Sequence, residues 1–280
     1  MRPLKVIVDQ ASLRHNLAIV KQLAPKSKIM SVVKANGYGH GLINVAQGLS
    51  ESDGFAVLAL NEAIDLREHG FEQDILLLEG AFESYEISIA AKMRFNLVVH
   101  NLHQLQMIEK LKLNHPIDIH FKINTGMNRL GFNPNEAKEI LKTLQNKSHF
   151  KSITLMTHFA TADEPKGVDW QLTVFNDIAQ HFNFSHSVAN SASIVNFKKT
   201  HLDWVRPGIM LYGASPIMGQ KSSAFNIKPV MQLKSKIIAI QNLSKDDSVG
   251  YGETFKAKND MRIAVVACGY ADGYPRHAPT

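Results

Sequence analysis

The sequence contains very little cysteine and no long hydrophobic run. Cys268 is the single cysteine of the 280 residues, so an internal disulfide is excluded and a reducing compartment is favoured. It ends the apolar run at residues 264–268, where we expect it to lie in a core. No run of about 18 apolar residues occurs, and residues 1–5 lack the apolar stretch of a signal peptide. We therefore expect a cytoplasmic protein with no membrane segment.

The sequence also lacks the basic clusters of a nucleic-acid-binding protein. Its formal net charge is +6, but the basic residues are scattered, and Lys198-Lys199 is the one adjacent basic pair. Aromatic residues are not interleaved with basic ones as they are in a base-stacking surface. Apolar residues make up 45% and charged residues 20%, which argues against a disordered or fibrous chain. We expect a globular protein that binds no nucleic acid.

What the sequence does contain is an alternation of short β-branched runs with amphipathic helical stretches, the pattern of βα units around a parallel sheet. A first strand is predicted at residues 5–8, followed by a helix after Asp9. Eight further strands are predicted at residues 28–33, 54–60, 74–78, 95–100, 117–123, 153–159, 184–189 and 204–212. This number of βα units predicts an α/β fold with a closed (β/α)₈ barrel.

Two of the helices carry start signals. Asn61 is expected to cap a helix at residues 62–68, because an asparagine side chain can accept from the first backbone amides of a helix. Asn133-Pro134 is expected to open a helix at residues 135–144. Both features concern structure and say nothing about chemistry.

The composition changes near residue 213. Residues 213–229 are rich in Gly, Ser, Pro and Lys and predict a linker. Beyond it, strand-like runs at residues 231–240 and 262–267 with no convincing helix predict a β-rich domain. We predict a barrel domain at residues 1–228, whose residues 1–10 could form a strand that joins the β domain, and a C-terminal β domain at residues 229–280. About fifty residues make a small core, so we expect the chain to stop inside that domain.

Polar residues lie where the predicted barrel strands end. In a βα barrel the C-terminal ends of the strands form the reactive rim, whereas the opposite rim serves mostly stability. The polar residues at these predicted ends are Lys34, Lys122, Arg129, His158, Asn190, Ser191 and Arg206. They are therefore candidate site residues.

Lys34 passes directly from an apolar strand into a glycine-rich stretch that precedes a helix. An amine at such a place can be desolvated and made nucleophilic, as Schiff-base chemistry requires. A solvated lysine at a strand end, with the glycines forming a tight turn or a phosphate loop, accounts for the same residues. This stretch taken alone leaves both readings open.

Seven short strings, taken together and in order, carry a resemblance. They are VVKANGYGHG at 32–41, KINTGMNRLG at 122–131, THFA at 157–160, NSA at 190–192, RPGI at 206–209, GYG at 250–252 and GYADGY at 269–274. No single string is decisive, but their order and spacing leave little room for accident. From end to end the chain resembles the alanine racemase family.

The resemblance implies a cofactor and a reaction. Pyridoxal 5'-phosphate would be held through an imine on Lys34, and the enzyme would interconvert L-alanine and D-alanine, either supplying D-alanine for peptidoglycan or degrading alanine. It also implies a homodimer with shared active sites, in which Tyr251 comes from the other subunit. Lys34 would serve the D-enantiomer and Tyr251 the L-enantiomer, with His158 and Arg206 continuing the hydrogen-bond chain of the tyrosine.

The remaining roles also follow from the resemblance. Arg206 matches the arginine that faces the pyridine nitrogen, where decarboxylases built on a similar barrel place a carboxylate. The residues matched to cofactor binding are Tyr38, Asn190, Ser191, Gly208 and Ile209. Arg129 and the entrance residue Tyr270 match substrate-binding positions, and Lys122 matches a lysine that is carbamylated in some members. No metal is expected.

Two departures from the family pattern stand out. Asn124 and Asn128 stand where relatives often carry Asp and Gly or His, which puts the support of Arg129 in question. The family also continues beyond the position of Thr280 with a tyrosine that contacts the phosphate and a Met-Asp pair that reaches the neighbouring subunit. The activity of this 280-residue chain is therefore open.

Other readings remain at this stage. They are a barrel-type decarboxylase, a racemase for serine or a larger amino acid, a non-catalytic pyridoxal-phosphate carrier, and a cofactor-binding fragment without turnover. Arg206 and Tyr251 argue against the decarboxylase. The residues from Pro229 onward argue against the carrier, because carriers of this kind lack a second domain.

Overall fold

The computed structural model describes residues 2–145 and 147–276. These residues form two compact units. One unit runs from Asp9 to Val230, and the other combines the described residues up to Val8 with those from Met231 onward. The first strand, β1 (Lys5–Val8), belongs to the second unit, which we call the β unit.

Within the described part of residues 9–230, eight parallel strands close into a barrel. The strands are β2 (Lys28–Val32), β3 (Gly54–Val57), β4 (Asp74–Leu77), β5 (Phe95–Val99), β6 (Ile117–Lys122), β7 (Phe150–Met156), β8 (Ser185–Ala189) and β9 (Trp204–Val205). Closure comes from β2 and β9, where Lys28 pairs with Trp204 and Ile29 with Val205. The barrel predicted from the sequence is confirmed.

Helices follow most of these strands. They are α1 (Gln10–Leu23), α2 (Lys34–Tyr38), α3 (Leu42–Gly48), α4 (Leu60–Glu68), α5 (Ser84–Met93), α6 (Leu102–Lys110), α7 (Pro134–Leu144), α8 (Asp169–Ala179) and α9 (Ser191–Asn196). Asn133 caps α7 as predicted, because its side chain accepts from the amide of Asn135. The prediction for Asn61 is wrong, since α4 begins at Leu60 with Ala59 at the N-cap position. Among the described residues, no helix combines the length and apolar character needed to cross a membrane.

Apolar side chains fill the barrel interior. A buried cluster inside the barrel consists of Met30, Val32, Ala56, Leu76, Val98, Met156 and Trp204. These residues come from six of the eight strands, so they tie the strands together from within. Polar side chains at the C-terminal ends of the strands therefore lie above a packed apolar floor.

Several predicted strands are too long at their C-terminal ends. The strand predicted at residues 54–60 ends at Val57, and the one predicted at 204–212 ends at Val205. The apolar residues Ile209–Tyr212 form a 3₁₀ turn instead, after Pro207, which lacks a backbone donor for the ladder. An apolar run indicates burial but does not distinguish a strand from a buried turn. The strand predicted at residues 28–33 likewise ends early, at Val32, and Lys34 opens α2 two residues later.

The stretch predicted as a linker is fixed in part to the barrel. Asn16 on α1 is fully buried and donates to the carbonyl oxygens of Leu211 (2.9 Å) and Lys228 (2.8 Å). It also accepts from the amide of Lys228 at 2.8 Å. Three hydrogen bonds to one buried side chain hold Leu211, just before the segment, and Lys228, near its end, against α1. The composition of the segment does not reveal this.

The β unit consists of paired short strands. Its strands after β1 are β10 (Met231–Lys234), β11 (Ile237–Leu243), β12 (Ser248–Val249), β13 (Phe255–Lys256) and β14 (Met261–Val266). The antiparallel pairs are β1 with β10, β11 with β14, and β12 with β13. Cys268 is only half-buried, so its predicted place in a core is wrong. The reason is that the side chains of β14, which precedes it, are largely exposed.

Candidate active site

A cavity of about 580 Å³ lies at the C-terminal ends of the barrel strands, a size typical of small-molecule sites. The predicted site residues that line it are Lys34, Tyr38, Lys122, Arg129, His158, Asn190, Ser191, Arg206, Gly208 and Ile209. The structure thus brings together ten of the twelve residues singled out in the sequence. The other two, Tyr251 and Tyr270, belong to the β unit and are 98% and 73% exposed.

Lys34 begins a turn with an unusual backbone. Ala35, Asn36, Gly37 and Tyr38 all have φ between 52° and 62°, the left-handed region that side chains rarely adopt. The Asn36 amide donates to Oε1 of Glu62 at 2.9 Å, and its Oδ1 accepts from the Leu42 amide at 2.8 Å. A strained turn held by the backbone and the side chain of Asn36 places Lys34 at a defined point of the cavity.

Tyr38, Ser191 and Gly208 form one side of the cavity. The Gly208 amide donates to Oγ of Ser191 at 2.8 Å. A Cβ at Gly208 would lie 2.9 Å from Oη of Tyr38, so only glycine allows this approach without displacement. The Tyr38 ring stacks on Tyr212 at 4.6 Å, and Tyr212 donates to the carbonyl of Val32 at 3.0 Å. A hydroxyl pair and a backbone amide therefore converge in a braced arrangement.

Arg206 is a buried cation held by backbone oxygens. Its Nη1 donates to the carbonyl and Oγ of Ser187 at 2.6 and 2.7 Å, and its Nη2 donates to the carbonyl of Thr157 at 2.7 Å. The side chain is only 3% exposed, and burial lowers the pKa of Arg206 to about 10. At neutral pH it therefore remains a cation, oriented by neutral dipoles rather than by a carboxylate.

His158 lies beside Arg206 and is uncharged. Nη2 of Arg206 is 3.4 Å from Nδ1 of His158, and the pKa of the imidazole is lowered to about 3 by burial first and then by the charges of Arg206 and Lys122. An arginine nitrogen can only donate, so Nδ1 is the acceptor and the remaining proton resides on Nε2. The pair therefore leaves one imidazole N–H able to donate to a further group.

Lys122 is the last residue of β6 and is 7% exposed. Burial lowers the pKa of its amine to about 8, and the charges of Arg206 and Arg129 act in the same direction. A substantial fraction of the amine is then neutral slightly above neutral pH. That makes Lys122 chemically distinct from a solvated lysine.

The loop that carries Arg129 is organised by Asn124 and Asn128, the two asparagines that depart from the family pattern. Oδ1 of Asn124 accepts from the amides of Gly126 (3.1 Å) and Asn128 (3.0 Å), and its Nδ2 donates to Oδ1 of Asn128 at 3.1 Å. Asn128 has φ +57°, which asparagine tolerates better than most residues. The two asparagines thus form a local turn that supports Arg129.

Sequence reasoning missed the residues that join the strand ends. Oγ1 of Thr125 and Oγ1 of Thr157 are 2.8 Å apart, and Nε2 of the fully buried Gln171 donates to Thr125 at 2.9 Å. Gln171 also donates to the carbonyl of His158 at 3.1 Å and accepts from the amide of Ala160 at 2.7 Å. The threonines could have been predicted, because they follow barrel strands and polar residues at those strand ends lie at the reactive rim. A glutamine on α8 carries no such signal.

Two acidic residues of the cavity were also missed. Glu79 and Asp163 both line it, together with apolar residues such as Leu78. Glu79 follows the end of β4, so the strand-end rule that selected Lys34 applies to it as well. Glu79 lies outside the seven strings that carry the family resemblance, so it was not predicted.

Comparison with known proteins identifies the family. A family model of the alanine racemase N-terminal domain matches residues 8–216, and one of the alanine racemase C-terminal domain matches residues 230–280. The chain belongs to the alanine racemase family. It is 50% identical to the alanine racemase of Nitrosomonas europaea and 48% identical to that of Nitrosospira multiformis, over 100% of this chain and 78% and 79% of those proteins.

Solved structures agree with this assignment. This alanine racemase family member superposes on the biosynthetic alanine racemase of Pseudomonas aeruginosa with a TM-score of 0.94 and 39% identity, covering 100% of this chain and 79% of that one. For the alanine racemase of Acinetobacter baumannii the TM-score is 0.93 at 40% identity, with 98% and 78% coverage. The family, the barrel and the enzyme class predicted from the sequence are confirmed.

Proposed function

We propose that this protein interconverts L-alanine and D-alanine with pyridoxal 5'-phosphate bound to Lys34. The observation that carries the proposal is the single cavity in which a chain of the alanine racemase family gathers Lys34, Arg129, His158 and Arg206. The two solved relatives described above are themselves named alanine racemases. A scattered arrangement of the same residues would not support catalysis.

The residues present fit the cofactor. Lys34 would hold its aldehyde carbon, the Tyr38 and Ser191 hydroxyls with the amides of Gly208 and Ile209 would bind its phosphate, and Asn190 would support Ser191 as the cap of α9. Arg206, which cannot readily give up its proton, would donate to the ring nitrogen. The bound group supplies the electron withdrawal that makes the α-hydrogen of an amino acid acidic.

Arg206 would favour racemisation over other outcomes. A guanidinium donates a hydrogen bond to a ring nitrogen without transferring a proton, so the electron withdrawal stays limited. A carboxylate at that position would stabilise the protonated ring and draw more charge away from the α-carbon. Limited withdrawal favours return of a proton to the α-carbon, which is the step that inversion needs.

Lys34 would move a proton on one face of the α-carbon and Tyr251, from the other subunit of a homodimer, on the opposite face. Tyr251 is 98% exposed and sits between Gly250 (φ +77°) and Gly252 (φ +72°), a turn that projects the ring outward. An exposed aromatic side chain is available to a second copy. His158 and Arg206 would continue the proton path, since Nε2–H of His158 can donate to the phenolic oxygen. Tyr270, also largely exposed, would line the entrance.

Arg129 would bind the substrate carboxylate, and Lys122 would help to position it. We include in the proposal that Lys122 can take up carbon dioxide as a carbamate. The neutral amine nitrogen attacks the carbon of CO₂, an N–C bond forms, one C=O electron pair moves to oxygen, and the nitrogen loses a proton to water. The resulting anion would orient the guanidinium of Arg129.

The test uses the protein saturated with pyridoxal phosphate and mixed with L-alanine in deuterated water. We expect deuterium at the α-carbon together with loss of optical rotation, and a borohydride-reducible bond located at Lys34. Release of carbon dioxide from the substrate would indicate a decarboxylase instead. A reducible bond without any exchange at the α-carbon would indicate cofactor binding alone, and no bond at Lys34 would refute the proposal.

A further inference from the structure

Glu79 is held at the edge of the active-site cavity by contacts to its backbone. Its carbonyl oxygen accepts from Nε2 of Gln104 at 2.9 Å and lies 3.1 Å from Nε2 of His100. Gly80 follows with φ +74°, and a Cβ there would lie 2.2 Å from the carbonyl oxygen of Val98. The turn after β4 therefore has little freedom, and its residue Glu79 lines the cavity.

The cavity is rich in positive charge. Lys34, Lys122, Arg129 and Arg206 line it, and the carboxylates of the lining are Glu79 and Asp163. The ion pairs found among the described residues lie elsewhere on the protein, so these four cations have no carboxylate within 4 Å. A carboxylate in the cavity consequently acts on several cations at once.

Glu79 acts most clearly on Lys122. The charged groups that influence this amine are Arg206, Arg129 and Lys34, which disfavour its ammonium form, and Glu79, which favours it. Glu79, His100 and Lys122 lie at or just beyond the ends of β4, β5 and β6, which are neighbours in the barrel, and Nε2 of His100 contacts the carbonyl oxygen of Glu79. Glu79 and Lys122 thus line one cavity from nearby strand ends.

We propose that Glu79 is a positioning residue that limits the addition of carbon dioxide to Lys122 and so determines how Arg129 is held. The inference rests on the proposed function and adds a control of its carbamate step. Carbamate formation replaces the ammonium with an anion. That anion would attract Arg129 but would be repelled by the Glu79 carboxylate. The negative charge of Glu79 therefore disfavours formation of the carbamate.

The experiment measures carbamate on the pyridoxal-phosphate-loaded protein by ¹³C NMR, with ¹³C-labelled bicarbonate titrated at constant pH. We expect Glu79→Gln to reach half occupancy at about three- to tenfold lower bicarbonate than the unchanged protein, because one nearby negative charge is removed. Glu79→Asp keeps the charge and should restore a titration close to that of the unchanged protein. Lys122→Arg should abolish the signal and so identify its site.

Glu164→Gln is the matched control. It removes the same charge from an exposed residue that does not line the cavity, next to Asp163, which does. Its titration should match that of the unchanged protein. A shift as large as that of Glu79→Gln would show an effect of overall charge and would overturn the proposal.

Two further outcomes overturn the inference. One is an identical titration in Glu79→Gln and the unchanged protein, and the other is no carbamate in either at saturating bicarbonate. The borohydride-reducible bond at Lys34 and deuterium exchange into alanine are measured in the same samples. If both are present while the titrations coincide, the inference fails and the proposed function stands, whereas their absence means that the proposed function itself fails.

Discussion

Arg206 and His158 show how burial sets the character of single residues in this site. Arg206 keeps its proton because carbonyl and hydroxyl oxygens replace water around the guanidinium. His158 carries a single proton because burial, and then the neighbouring charge of Arg206, disfavours its imidazolium form. The pair therefore combines a permanent donor with a neutral imidazole, which can relay a proton without holding a charge.

Tyr251→Phe tests the two-face assignment at the residue scale. Removing the phenolic hydroxyl should slow the transfer of α-deuterium to water from [2-²H]-L-alanine by at least about 100-fold, because a general base is lost. Transfer from [2-²H]-D-alanine, which depends on Lys34, should change far less. The measurement is initial-rate loss of deuterium from each enantiomer.

Tyr85→Phe serves as the control for Tyr251→Phe. Tyr85 is 63% exposed and lies on α5, outside the cavity lining, so neither exchange rate should change. Equal slowing of both enantiomers in Tyr251→Phe would contradict the assignment of one face to each base.

At the scale of elements, the strand-end rule explains how much of the site was predictable. Lys34, Lys122, His158 and Arg206 lie at or just beyond strand ends, and the parallel order of the barrel brings such ends to one rim. The buried glutamine that supports them could not be found in this way. Gln171 reaches Thr125 across 46 positions of the chain, and no local pattern encodes that contact.

The strand ends themselves were less predictable than the strands. Apolar residues resume after Gly208 in the turn at Ile209–Tyr212, because Met210, Leu211 and Tyr212 of that turn are buried in the barrel unit. Hydrophobicity records burial in both elements, and only Pro207 and Gly208 mark the change between them. The candidate residues still line one cavity, since a shift of a few residues keeps a side chain at the same rim.

Gly208→Ala tests the turn after β9. The added Cβ would lie 2.9 Å from Oη of Tyr38, and the stacking of Tyr38 on Tyr212 resists a shift of the ring. We expect binding of pyridoxal phosphate to weaken by about tenfold, in line with the loss of about one hydrogen bond, while the thermal midpoint of the apoprotein changes little. Fluorescence titration with the cofactor measures the first effect and thermal unfolding the second.

Gly269→Ala is the companion variant for Gly208→Ala. Gly269 lies in the β unit with extended backbone (φ −165°), and nothing lies within 4 Å of an added Cβ. Its cofactor affinity should equal that of the unchanged protein. If Gly208→Ala bound the cofactor as tightly, Tyr38 and Gly208 would not share a phosphate site.

For the whole molecule, buried neutral histidines link folding to pH. The pKa values of His120 and His158 are both lowered to about 3, mainly by burial, while an unfolded histidine titrates near pH 6.5. Between these two values the unfolded chain binds protons that the folded chain does not. The contribution of these histidines to the free energy of unfolding should therefore be complete above about pH 6.5. It should fall as the pH drops toward 3, by up to about 1.4 kcal/mol per pH unit for each histidine.

His120→Leu isolates one of these contributions. His120 is 2% exposed inside the barrel, and its Nδ1 has no hydrogen-bond partner among the described residues, so an apolar side chain of similar size removes a proton site without breaking a bond through that atom. Urea unfolding at pH 7.5 and at about pH 5 should show a loss of stability that is smaller in this variant by about 1.4 kcal/mol for each pH unit below about 6.5. The exposed His103→Gln should retain the loss of the unchanged protein, because it leaves the buried His120 in place. An identical pH dependence in His120→Leu would mean that His120 takes up its proton in the folded barrel, and the neutral interior inferred for it would be wrong.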